Sequence, residues 1–414
     1  YKNQTGVSSP PAGMKRRRVK ITGIGPVTPA GIGREEFWKG ILEPVSRVTV
    51  CRRLEPKCGE MVAAEVKGFR LGQIVEAEWA KNISRMSQFA VAGVFLALRD
   101  AGIEIGAIRK MAPVIMVGSA LMDPQVITGS ILDVERKGVR YARPRLVREA
   151  IGSATGSAIV HALGVDAQTI SFQSACCAGL DAIGFGAEMI ARGETSLVIA
   201  GGTEAPIFQH PMVELRAAGL APNTHENAAR LGRPFDIWRT TGVIGEGSCF
   251  VVLESEESPR RGYADILGFG HASDQNGNLC AGLARAVRFA LANSNLTAAS
   301  IDHISAWGPG HRQVDAAEAS VLRGVFGPRL DSVAAYSIKG AIGNPFAAAG
   351  AIQVAAAALG LRLGTMPPTV NWKRMDPSCA LCLSDRVRWI DSEYAMVNAH
   401  GVSGTNSCVI LKKC

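Results

Sequence analysis

The sequence predicts a layered α/β protein made of two comparable halves. Three observations predict it. Glycine and alanine are spread along the whole chain, short β-branched runs alternate with Ala-rich stretches of helical spacing, and a charged, proline-containing stretch at 254–262 separates two such series. With 414 residues, 47% of them hydrophobic and 20% charged, the chain can bury a large core.

Residues 19–24 read as the first strand, 86–101 carry apolar residues at helical spacing, and 114–117 form a short apolar strand ending at Gly118. Ile170-Ser171-Phe172 leads as a strand through Gln173, Ser174 and Ala175 to Cys176 and Cys177. A helix follows, because Leu180, Ile183, Ala187 and Ile190 fall near one face and Arg192-Gly193 supplies a C-terminal stop. Residues 197–200 form a buried strand ending in Gly201-Gly202. The second series begins at Ala264, with an amphipathic helix over 284–292, a strand over 301–306 and a helix over 316–325. An Ala-rich, almost fully buried helix over 347–361 and a last strand over 409–411 complete it.

The segment 1–18 is expected to be flexible: it is polar and rich in Ser, Pro and Gly, with Met14 a candidate natural start after an appended remnant, and it ends in the basic run Lys15 to Arg18. The two halves then span 19–258 and 259–414. No run approaches the roughly 18 uncharged apolar residues that cross a bilayer, and no basic-then-apolar segment opens the chain, so a cytoplasmic protein without a membrane partner is expected. Ten irregularly scattered cysteines predict reduced thiols. Cys379 and Cys382 form a lone C-x-x-C without a second pair or a histidine cluster, which reads as loop or core thiols, and no metal is expected. The formal charge of +9 predicts an acidic partner, but no zinc-finger spacing, aromatic RNA-binding signature or long basic helix points to nucleic acid.

A cysteine at the start of a helix feels the positive end of the macrodipole, which lowers its pKa and makes it a nucleophile toward thioesters. Cys176 is so placed, although a small buried thiol is the plain alternative. Cys177 reads as a packing thiol. Ser174-Ala175-Cys176-Cys177-Ala178-Gly179 resembles the nucleophile motif of the β-ketoacyl-acyl-carrier-protein synthases, usually Thr-Ala-Cys-x-x-Gly, and Gly201-Gly202-Thr203-Glu204 resembles the strand end after it. Further blocks agree in order and spacing: Thr22-Gly23-Ile24-Gly25 with Thr28-Pro29, Arg233-Pro234-Phe235-Asp236 with Gly245-Glu246-Gly247, Ser337-Ile338-Lys339, Ala348-Ala349-Gly350, 367–371 and Gly404-Thr405-Asn406. The resemblance covers nearly all of 19–413. It implies a thiolase fold, two similar βαβαβ-type halves in a five-layer αβαβα arrangement, with the site where the central helices meet and a dimer as the usual assembly.

At two places the sequence departs from that family. Its His-Gly-Thr-Gly-Thr block reads Trp307-Gly308-Pro309-Gly310-His311, in a register fixed by Asp315 and Glu318 at the family's acidic positions. Its second histidine follows Lys-x-x-x-Gly, and here Lys339 and Gly343 lead to Asn344. Neither replacement titrates near neutral pH. Trp307 also reads as core packing, and Asn344, before Pro345, as a helix N-cap. The family's Asp-Gly-Phe is Thr240-Thr241-Gly242, and its Phe-Gly-Phe-Gly-Gly oxyanion and gate loop is His400-Gly401-Val402-Ser403-Gly404. Gly242 is expected to vacate the volume that the Trp307 indole fills. His400 or His311 could substitute for a lost imidazole, His400 by pairing with Cys176.

The resemblance implies no bound cofactor, the acyl group arriving on the phosphopantetheine arm of an acyl carrier protein. Two functions follow from it. The first is a non-extending partner of an active ketosynthase, similar to the chain-length factor of type II polyketide systems, as a heterodimer or, failing that, a homodimer. Those factors usually lack the cysteine that this chain keeps. The second is an acyltransferase that loads Cys176 and passes the acyl group on without decarboxylation. A slow condensing enzyme and a binding-only protein complete the readings. By the same resemblance, the stretch 121–145 is expected near the subunit interface.

Overall fold

The computed structural model describes residues 16–54, 59–76, 83–144, 146–275 and 277–414. Most of the segment expected to be flexible, 1–15, lies outside the described residues. Its end does not behave as a tail: Arg17 donates its N–H to Ala191 O, Arg16 pairs with Glu188, and Arg18 O accepts from Glu256 N, so order begins before residue 19.

Among the described residues, ten strands form the continuous path of the main sheet. They are β1 (Val19–Thr28), β2 (Val114–Gly118), β3 (Gln168–Phe172), β4 (Leu197–Glu204) and β5 (Gly247–Ser255), then β6 (Ala264–Ser273), β7 (His303–Ser305), β8 (Ala334–Tyr336), β9 (Tyr394–His400) and β10 (Thr405–Lys413). In the first half the spatial order is β1-β5-β4-β2-β3, and in the second it is β6-β10-β9-β7-β8, the same pattern five strands on. In each, the last three strands of that order are parallel and the second is antiparallel to both neighbours. The two series meet where β1 pairs with β6 through Val19↔Ile266, Lys20↔Asp265 and Ile21↔Ala264, so one sheet runs through both halves.

Among the described residues seven helices of ten or more residues cover it: α1 (Arg85–Asp100), α2 (Pro124–Lys137), α3 (Ala154–Leu163), α4 (Ala178–Ala191), α5 (Ala281–Ser294), α6 (Arg312–Phe326) and α7 (Ala347–Leu363). α1 and α3 pack on the outer face of the first half, α5 and α6 lie against each other on the outer side of the second, and α4 and α7 pack together between the two. Five layers result. Burial explains the sequence of each. β1 and β5 are buried on both faces and read as nearly unbroken apolar runs, and α7 is buried all round except Arg362 and Leu363, which is why it lacks an amphipathic pattern. Ser84 caps α1 by accepting from Ser87 N. Among the described residues no helix is long and apolar enough to cross a membrane.

α4 and α7 approach closely because glycine permits it. A Cβ on Gly179 would lie 2.2 Å from Ala347 O, and one on Gly202, at the end of β4, would lie 2.4 Å from the same oxygen. Strand end, nucleophile helix and central helix therefore converge on one carbonyl. Substituting Gly179→Ala should destabilise the protein by about 1–3 kcal/mol or more, because backbone rather than a flexible side chain must move. Urea unfolding checks this, and an unchanged midpoint would contradict it.

Candidate active site

β3 delivers the chain through Ser174 into a single tight turn, Ala175–Cys177, from which α4 starts. Ala175 takes a left-handed φ of 50°, and this reversal sets Cys176 at the helix entrance. Cys176 is 1% exposed and lines a cavity of about 350 Å³ with Gly242, Ile244, Trp307, Pro309, His311, Asn344, Phe346, His400 and Val402 among its walls. Trp307, Asn344, His311, His400 and Cys176 are thus brought together. Lys339, Asp315, Glu318 and Ser403 do not line it.

The helix entrance does not activate the thiol as its position suggested. Burial pushes Cys176 up to about 12, although the backbone N–H groups of Val402 and of Cys176 itself favour the thiolate, as does the positive charge of Lys339. Desolvation outweighs these favourable contacts. Cys177, also buried, donates to Thr405 O at 3.4 Å and takes no part in the cavity.

Lys339 is fully engaged behind the indole. Its Nζ donates to Trp307 O at 2.6 Å and Gln353 Oε1 at 3.0 Å, and lies 3.8 Å from the Trp307 ring centroid. An ammonium has three protons, and three acceptors surround it. Burial draws the Lys339 pKa down, and the Glu318 carboxylate opposes that shift. The acidic pair holds the loop between β7 and α6. Glu318 accepts from Trp307 N at 2.8 Å and Gly308 N at 2.9 Å, and Asp315 accepts from Gly310 N at 3.1 Å and Phe235 N at 2.7 Å. Burial pushes Asp315 up to about 7.

Several expectations change. Asn344 is no helix cap: α7 starts from Phe346 without a side-chain cap, and Asn344 Oδ1 is buried without a hydrogen-bond partner, its backbone instead bonding Val243 and Gly245. The atoms nearest a Cβ on Gly242 belong to Pro309, at 3.1 Å and beyond, and Gly242 and Trp307 border the same cavity. His400 makes no hydrogen bond to Cys176 among the described residues; its Nδ1 is 2.8 Å from Asn406 Oδ1. Val402 is 65% exposed, and it reaches the thiol through its backbone N–H. His311 caps α6 by accepting from Val314 N at 3.4 Å, and burial with the Arg239 charge lowers its pKa. His303 is remote, bonded to Ser392 and pushed down to about 4 by burial.

Gln353, which fixes Lys339, and Phe346, which walls the cavity at φ 43°, were not singled out in the sequence. Phe346 stands two residues after Asn344 and was readable from that motif, whereas Gln353 lies inside an Ala-rich helix and gave no signal beyond being a polar residue at a buried position.

Two family descriptions match the chain: the N-terminal domain of β-ketoacyl synthases over residues 16–258 and their C-terminal domain over 263–373. The chain belongs to the β-ketoacyl synthase family. Among relatives of this β-ketoacyl synthase family member, a protein designated polyketide beta-ketoacyl synthase 1 of Streptomyces virginiae is 32% identical over 420 residues, covering 96% of this chain and 98% of its own. The 3-oxoacyl-[acyl-carrier-protein] synthase 2 of Coxiella burnetii is 28% identical, covering 97% and 99%. Of solved structures, the ishigamide ketosynthase/chain length factor superposes with a TM-score of 0.90 at 27% identity, covering 96% of this chain and all of that one. The fold is the thiolase fold of the ketosynthases, as the resemblance implied.

A thiol at about 12 leaves little thiolate at neutral pH. Alkylation of Cys176 by iodoacetamide should rise about tenfold per pH unit from about pH 7 to about pH 10, with no plateau. Peptide mapping reads the rate, and a plateau at or below about pH 8.5 would show an ordinary or activated thiol.

Proposed function

We propose that this chain is a non-extending, ketosynthase-like subunit of type II polyketide or fatty acid biosynthesis, acting like a chain-length factor beside an active ketosynthase. The observation that carries this reading is the wall facing Cys176, where an indole and a carboxamide stand at the positions that decarboxylative condensation fills with imidazoles. Each missing acid/base group removes roughly 10²–10⁴-fold in rate. Lys339 offers no replacement, since its protons are committed behind the ring.

The solved ketosynthase/chain length factor supports the assembly. So does the surface around α2, where Val139 is 83% exposed, Val147 76%, and Met122, Ile131 and Ile151 are exposed too. It covers most of the stretch 121–145, of which Arg145 lies outside the described residues. β3, at one end of the sheet order, has its outer edge unpaired among the described residues. Acyl groups would arrive on the phosphopantetheine arm of an acyl carrier protein, in the cytoplasm. The formal charge of +9 and the carrier-protein synthase of Coxiella burnetii support that carrier. The division into halves at 258 accords with the spans of the two family descriptions.

A second reading, acyl transfer through Cys176 without condensation, is favoured by the two N–H groups that meet its sulfur, since covalent catalysis needs a thiol and donors for the oxyanion.

Purified alone, the protein should give no measurable condensation of acyl and malonyl thioesters; turnover near an ordinary roughly 10 s⁻¹ would overturn the reading. Trp307→His with Asn344→His should not restore it, because Gly242 and Val402 also differ from the family pattern. Co-expressed with an active synthase, it should form a heterodimer burying more than roughly 2,000 Å², and enlarging Met122 or Ile127 should change product length. A stable monomer by light scattering together with unchanged product length would leave the acyltransferase. Carrier-protein affinity should fall between low salt and about 0.5 M, and an unchanged affinity would mark an apolar contact.

A further inference from the structure

His400 is buried at the end of β9, in the loop that also sends the Val402 N–H to Cys176, and it borders the same cavity as the thiol. Its hydrogen bonding fixes the tautomer. Asn406, its cross-strand partner on β10, directs Nδ2 at three oxygens: Asp274 Oδ1 at 2.8 Å, Gly404 O at 3.1 Å and Ala272 O at 3.5 Å. The amide therefore cannot turn over, and its Oδ1 must face the imidazole. An amide oxygen only accepts, so the proton of the neutral ring sits on Nδ1, and Nε2 carries the lone pair.

Asp274 is in turn held from the other side. Its carboxylate accepts from Gly282 N at 2.8 Å and Cys280 N at 3.1 Å, at the start of α5, and its own N–H donates to Gly404 O at 2.6 Å. Carboxylate, carboxamide and imidazole are thus joined in one fixed series. Nε2 has no protein partner among the described residues, and it is not among the sealed, unpartnered buried atoms. It opens on the cavity. His311, on the same cavity, has the opposite polarity, because its Nδ1 accepts from Val314 N and leaves the proton on Nε2.

We propose that His400 is the general base of an acyl transfer from Cys176 to a hydroxyl or amine acceptor, with Asn406 and Asp274 as positioning residues. This rests on the second reading above. In loading, the Cys176 sulfur attacks the carrier thioester, its proton passes to Nε2, and the departing pantetheine thiolate takes that proton as its C–S bond breaks. In transfer, the acceptor oxygen or nitrogen attacks the acyl carbon, its proton goes to Nε2, and the released Cys176 sulfur recovers it as the second C–S bond breaks. The N–H groups of Cys176 and Val402 hold the oxyanion in both steps. No electrons are gained or lost, and the net change moves an acyl group from sulfur to oxygen or nitrogen. A base is required because a thiol held near 12 does not ionise by itself.

Intact-mass spectrometry of the full chain tests this, with butyryl-pantetheine as donor and ethanolamine, which carries both nucleophiles, as acceptor. The wild type should gain one butyryl group that Cys176→Ala cannot gain, and lose it to the acceptor. His400→Gln should clear any adduct it forms roughly 10²–10⁴-fold more slowly, and added imidazole should speed clearance in His400→Gly, which a purely structural role would not give. Melting curves identify a misfolded variant, and His400→Phe then supplies the comparison. Clearance in a folded variant within about threefold of wild type would overturn the assignment of His400, leaving acyl transfer intact. No adduct on the wild type would overturn both, while the partner-subunit reading would still stand or fall on co-expression.

Discussion

The convergence of β4, α4 and α7 on the Ala347 carbonyl sets the positions of almost everything described above. Without side chains at Gly179 and Gly202, the two central helices pack backbone against backbone. That contact places the Cys176 turn, at one end of α4, against the Asn344–Phe346 approach to α7. The cavity is what remains between those two entrances and the loops from β7 and β9. A close-packed interior transmits small shifts, so the geometry around the thiol depends on a contact made by residues that never touch a substrate.

Lys339, Asp315 and Glu318 have a structural role. Glu318 and Asp315 receive N–H groups from the 307–310 loop, and Lys339 donates to Trp307 O. Burying these charges is tolerable because each finds several partners, and removing one would leave the others unsatisfied. The indole takes part by offering its face to the ammonium. Trp307 therefore completes the shell of the charge behind it.

Much of this was legible in the sequence. The strand and helix centres and the tight turn that carries Cys176 follow from period and glycine placement, because those features are set locally. The thiol's protonation was not legible, since burial depends on the surroundings of Cys176 and not on its place at a helix start. Nor was the backbone role of Asn344, which pairs with Val243 and Gly245 from a distant segment. The contact of Pro309 with Gly242 was not legible for the same reason, since only packing brings the two loops together. The link from Asp274 through Asn406 to His400 spans 126 residues and depends on the pairing of β9 with β10 and of β10 with β6.

The place of β1 in the sheet bears on how the chain is made. Its first residues lie between β5 and β6, so this strand is flanked on both sides by segments synthesised more than 200 residues later. Until then α1 is its main cover, and the edges of a strand buried along its whole length stay open to wrong partners. The nascent chain must remain incomplete until residues 247–266 have emerged, and contacts of such long range close slowly. Completion of the first half and initiation of the second thus coincide in time.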